Sequence, residues 1–72
     1  MAKREEQNKK KILSEFEMMR GMELTAKELY LKIAASDDAD KEIKNIFTKM
    51  AQDEQSHSEI VQKIINIASN AL

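Results

Sequence analysis

The sequence has no cysteine, no proline, no tryptophan and one glycine in 72 residues. Without cysteine there is no disulfide framework, and zinc or iron–sulfur sites built on thiolates are excluded. Without proline, and with Gly21 alone, little in the chain stops a helix once it has begun. There is no excess of either charge, since the net value is −1 with 35% of residues charged. That balance and the missing tryptophan argue against a nucleic-acid binder. The local basic excess of Lys3, Arg4, Lys9, Lys10 and Lys11 over Glu5 and Glu6 reads as a solvated helix start. No apolar run is long enough for a signal peptide or a membrane span, so a cytoplasmic location without a membrane partner is expected.

Helix formers dominate, and the one turn-like cluster is Ser36-Asp37-Asp38, just before Ala39-Asp40. Acids there suit a helix N-terminus, where carboxylate oxygens accept from free N–H groups and negative charge meets the helix dipole. The chain therefore reads as a single all-α domain over residues 1–72: helix 1 at about 5–35, helix 2 at about 39–69, packed as an antiparallel hairpin. In helix 1 the series Ile12, Phe16, Met19, Glu23, Ala26, Tyr30, Ile33 alternates steps of four and three. In helix 2 Ile43, Phe47, Met50, Glu54, His57, Val61, Ile64, Ala68 does the same. That repeat is the seam of helices packed at small crossing angles. Leu13, Met22 and Leu29, and Ile46, Ala51, Ile60 and Ile65, widen both stripes beyond what one neighbour needs. A domain this small without disulfides needs a metal or a partner. The expected assembly is a homodimer, or a higher even oligomer, in which two hairpins form a four-helix bundle.

Glu23, Glu54 and His57 break the apolar seam. Glu23 lies 14 residues before Asp37 and Glu54 lies 17 after it, so folding there brings them within about one turn of the same level. His57 is one turn beyond Glu54 on the same face. No Lys or Arg lies on this seam to pair with the glutamates, and an unpaired buried carboxylate is costly. Two hairpins about a two-fold axis at this level would gather four Glu and two His around two divalent cations. A Glu from two helices and Glu-x-x-His from two others is the ligand set of di-iron and di-manganese carboxylate bundles. The donor chemistry suits iron, with manganese or zinc as alternatives. The competing reading is a metal-free register cluster, Glu54 and His57 bonding each other or Glu23. Tyr30 reads either as a hydrogen-bond donor to a ligand carboxylate or as a core aromatic. Asp53 and Glu59 read as solvated and the methionines as gap-filling core. Gly21 reads as a close approach, a local bulge or nothing in particular.

Gly21-x-Glu23-x-x-Ala26-x-x-x-Tyr30 with Ile33-Ala34, and Phe47-x-x-Met50-Ala51-x-x-Glu54-x-x-His57, resemble the two site helices of rubrerythrin-like members of the ferritin-like superfamily. The resemblance implies that Glu23, Glu54 and His57 are metal ligands, with Tyr30 bonding a ligand glutamate. It implies a non-haem di-iron centre that reduces peroxide, activates oxygen or oxidises ferrous iron. The family bundle has four helices on one chain where this sequence has two, so a homodimer would carry two iron ions in a symmetric site. With no Cys₄ iron domain in these 72 residues, a peroxidase would need an external electron donor. The second functional reading is a metal-free helical oligomerisation or adaptor module. A third is iron storage within a larger shell. Between these, the residues leave open whether the chain is an enzyme.

Overall fold

The structure, a computed structural model, describes residues 2–71, with side-chain surroundings for residues 7–70. It consists of α1, Ala2–Ala34, and α2, Lys41–Ala71. Both run two or three residues past the expected limits at the ends remote from the turn, because nothing in those ends opposes a helix. The turn also differs in detail. Asp40, rather than Asp37 or Asp38, caps α2: its carboxylate accepts from the Ile43 N–H at 2.9 Å and its carbonyl from Lys44 at 3.0 Å. Ser36 uses its hydroxyl oxygen to accept from the Asp38 N–H at 3.2 Å, which draws Asp37 and Asp38 into the turn itself. Asp40→Ala is expected to cost about 1 kcal/mol in denaturant unfolding, while Asp38→Ala costs little.

The helices lie antiparallel in one layer, with Cα extents of 58 × 15 × 10 Å. Their contact on α2 is made by Lys44, Phe47, Ala51, Glu54, Ser58, Val61, Ile65 and Ala68, in alternating steps of three and four. Five of these, Ala51, Ser58, Val61, Ile65 and Ala68, are buried. The facing stripe on α1 is half-buried Leu13, Phe16, Arg20, Glu23, Lys27, Tyr30 and Ala34. Small residues on α2 are covered by long ones on α1, including the aliphatic stems of Arg20 and Lys27. Among the described residues no side chain is completely enclosed. One interhelical face is all a lone hairpin can bury, and that leaves it marginal.

This contact coincides only in part with the seam expected from the sequence: Phe16, Glu23 and Tyr30 of α1 and Phe47, Glu54, Val61 and Ala68 of α2 belong to both. Ile12, Met19, Ile43 and Ile64 belong to that seam, and all four are exposed. They fall instead on a second apolar face: Ile12, Met19, Met22 and Leu29 on α1, and Ile43, Ile46, Ile60, Ile64 and Ile67 on α2. On each helix this face is rotated by about 100° from the hairpin contact. The expected seam bisects the two faces. It shares Phe16, Glu23 and Tyr30 with the contact and Ile12 and Met19 with the uncovered side. A pattern read along one helix does not say which edge of a broad stripe meets the neighbour, and here the hairpin covers one edge. Met18, Met19 and Met22 were expected to fill core gaps; all three are exposed on the uncovered side.

Candidate metal centre

The hairpin brings Glu23 of α1 to the level of Glu54 and His57 of α2. One possible ligand atom from each lies within 4.8 Å of the others. His57 Nδ1 is 3.5 Å from Glu23 Oε2 and 3.8 Å from Glu54 Oε1. Those separations exceed a good N–H···O bond, so the imidazole approaches both carboxylates without committing to either. A first-row cation sits at roughly 2.1 Å from O and N donors, so its ligands lie about 3 to 4 Å apart. The cluster is thus near the spacing that a cation would draw together. Side-chain exposure rises from 19% at Glu54 through 27% at Glu23 to 54% at His57. The site therefore opens onto the uncovered apolar face, beside Ile60 and Ile64.

Charge compensation differs from the sequence expectation. Cations do lie on the hairpin contact, but the two nearest the glutamates, Arg20 and Lys27, face away from them. Arg20 donates from Nη1 to Gln62 Oε1 at 3.0 Å and from Nη2 to Glu17 at 2.8 Å. Lys27 donates to Gln55 Oε1 at 2.6 Å. These two bridges repeat every seven residues along both helices and close the side of the hairpin opposite the uncovered face. Sequence reading missed them, although a cation at 20 and 27 opposite a glutamine at 62 and 55 was a signal for antiparallel rungs. Asp53 is exposed and pairs with Lys49 at 3.8 Å, and Glu59 is exposed, as expected.

With Arg20 and Lys27 engaged elsewhere, the two carboxylates face each other without a Lys or Arg between them. The Glu54 carboxyl is held above its ordinary value of 4.5, first by a hydrogen bond with Glu23, then by burial and by the charges of Glu23 and Asp53; His57 acts in the opposite sense. A raised carboxyl pKa means the folded state binds the proton more tightly than the unfolded one. Stability from this group is present below pH 4.5 and is lost as pH rises through the folded-state value. Metal-free protein is thus expected to lose stability as pH rises above that point. Glu54→Gln should flatten this limb in unfolding curves taken with chelator.

Tyr30 is half-buried and packs against Phe47, ring centroids 5.8 Å apart and tilted by 56°. It stands two turns from Glu23 along α1. Gly21 is neither a bulge nor a close approach within the hairpin: α1 continues through it, and an added Cβ would meet nothing within 4 Å. It borders an open groove of about 520 Å³ with Met18, Met22, Thr25, Ala26 and Leu29. Gly21→Ala is expected to raise stability by about 1 kcal/mol in thermal unfolding, since the substitution restricts the unfolded chain and clashes with nothing.

Among known families, the model for rubrerythrin matches residues 17–70, a span that holds Glu23, Tyr30, Glu54 and His57. No curated protein and no solved structure matches the chain.

Proposed function

The chain belongs to the rubrerythrin family, and on that basis we propose that two copies pair into a ferritin-like four-helix bundle around a two-iron carboxylate site. That site would reduce peroxide or oxygen, or oxidise ferrous iron. The observation that carries the proposal is the convergence of Glu23, Glu54 and His57, with possible ligand atoms within 4.8 Å. The donor set fits iron: carboxylate oxygens are hard ligands, imidazole is borderline, and among the described residues no Lys or Arg pairs with the glutamates. Manganese or zinc would fit the same donors.

In this proposal Glu23, Glu54 and His57 of each chain hold the metal. Four carboxylates from two chains balance two divalent charges, leaving His57 a neutral donor. When bound, iron supplies the electron transfer and the Lewis acidity on which such chemistry depends. Phe47, Met50 and Val61, on the same face of α2 as the ligands, line the site and exclude water. Tyr30 packs on Phe47 within its own chain, and we assign its hydroxyl to a ligand carboxylate of the assembled bundle. Electrons for peroxide reduction come from an external donor, because these 72 residues contain no cysteine for a second iron centre. Among the described residues no helix is long and apolar enough to cross a membrane. A cytoplasmic setting belongs to the proposal.

The test is metal per chain on the native oligomer after anaerobic ferrous loading and desalting, followed by oxygen and peroxide turnover. Retention of about one iron per chain with turnover supports the proposal. An oligomer that retains no iron, manganese or zinc removes it, and leaves Glu23, Glu54 and His57 as polar register residues of a helical adaptor.

A further inference from the structure

We propose that a divalent cation controls the pairing itself: metal-free hairpins stay single, and metal-loaded hairpins join through the uncovered apolar face. The inference rests on the metal-binding function proposed above and adds its regulation, with the second copy as the regulated partner.

The uncovered face has the size and chemistry of an interface. Ile12, Met19, Met22, Leu29, Ile43, Ile46, Ile60, Ile64 and Ile67 are each 38–67% exposed. Together they offer roughly 800 Å² per chain, about what one partner contributes to a stable protein interface. The face runs along both helices, and a two-fold pair can set such a surface against itself. A second copy is the occupant because it alone brings the same ligand triad to the same level.

The polar residues on this face decide when that pairing occurs. Glu15 and Asp53 lie in its apolar rows, Glu23 and Glu54 stand at its inner edge, and His57 lies between Asp53 and Ile60. Lys49 enters the α2 rows and pairs with Asp53 at 3.8 Å, while among the described residues no Lys or Arg pairs with Glu23 or Glu54. The nearby cations, Arg20 and Lys27, hold glutamines on the opposite side of the hairpin. In the single hairpin the glutamates keep some contact with water, at 27% and 19% exposure. Pairing removes that water and brings four carboxylates together with no protein cation among them. Like charges in a desolvated space oppose association strongly. The apolar rows favour it. A divalent ion bound by the triad converts the opposing term into an attractive one, so the metal decides the balance. Linkage then requires the converse: dilution into single hairpins weakens metal binding by the same factor.

The experiment is sedimentation velocity of the full chain across a dilution series, in chelator and with manganous ion, with metal content measured on each species. Ferrous ion under anaerobic conditions repeats it. The expected result is an apparent dimer dissociation constant that falls roughly 100-fold or more with metal. The double variant Glu23→Gln with Glu54→Gln keeps the shape of both side chains and removes their charge. It is expected to dimerise in chelator and to ignore added metal. If the parent pairs as tightly in chelator as with metal, yet retains the metal, metal control is wrong and the metal-binding function stands. If no species retains metal, the proposed function fails and this inference with it. If the double variant does not fold, the parent's two dilution series decide the matter without it.

Discussion

Glu54→Ala is expected to empty the site of metal. Glu54 is the least exposed of the three candidate ligands, and its carboxyl contacts both others. Its loss leaves each hairpin with one carboxylate where the assembled site needs two. Removing even a residue that supports a metal ligand commonly costs 10- to 100-fold in affinity, so a ligand itself should cost at least about 100-fold. After anaerobic ferrous loading and desalting, the parent should keep about one iron per chain and Glu54→Ala almost none. His57→Ala should behave in the same direction. Glu59→Ala, on the solvated side of α2, should load like the parent. Thermal unfolding adds an independent readout: chelator should lower the parent's midpoint, metal should restore it, and Glu54→Ala should respond to neither. Iron held by Glu54→Ala and His57→Ala as tightly as by the parent would sink the ligand assignment.

Ile60→Glu is expected to abolish pairing while leaving the hairpin helical. Ile60 is 54% exposed and touches the uncovered face, so a charge there costs the single hairpin little. In a two-fold pair the substitution enters twice, and each glutamate becomes an unpaired charge in an apolar seam. At about 3 kcal/mol apiece the dimer dissociation constant should rise by roughly 10⁴. Gln52→Glu, on the outer side of the same helix, is the control. Sedimentation with metal present should show one chain for Ile60→Glu and two for the control, with similar far-UV circular dichroism. A dimer of parent affinity in Ile60→Glu would mean that the chains associate through some other surface. The same variant separates shared from single-chain metal binding, because a site needing both copies should lose its iron along with its partner.

How much of this was legible beforehand differs from residue to residue. Two long helices, the reversal near Asp37 and the common level of Glu23, Glu54 and His57 follow from local chemistry. Absent breakers, one acidic turn cluster and a fixed rise per residue are properties a sequence carries by itself. The family match over residues 17–70 agrees with the motif around Glu23, Tyr30, Glu54 and His57. The partition of the apolar residues was not legible. Ile65 and Ala68 became buried while Ile64 and Ile67, their neighbours in the chain, stayed exposed. Periodicity locates a stripe about a helix axis, but which edge of a broad stripe meets the neighbour depends on how the other helix is rotated against it. The same rotation turned Arg20 and Lys27 onto glutamines and away from the carboxylates. That these helices form, fold back on one another and bring three ligand-type residues together follows from residue chemistry and spacing alone. That the meeting point opens onto an apolar face left uncovered by the hairpin follows from packing, because it depends on the relative rotation of two helices.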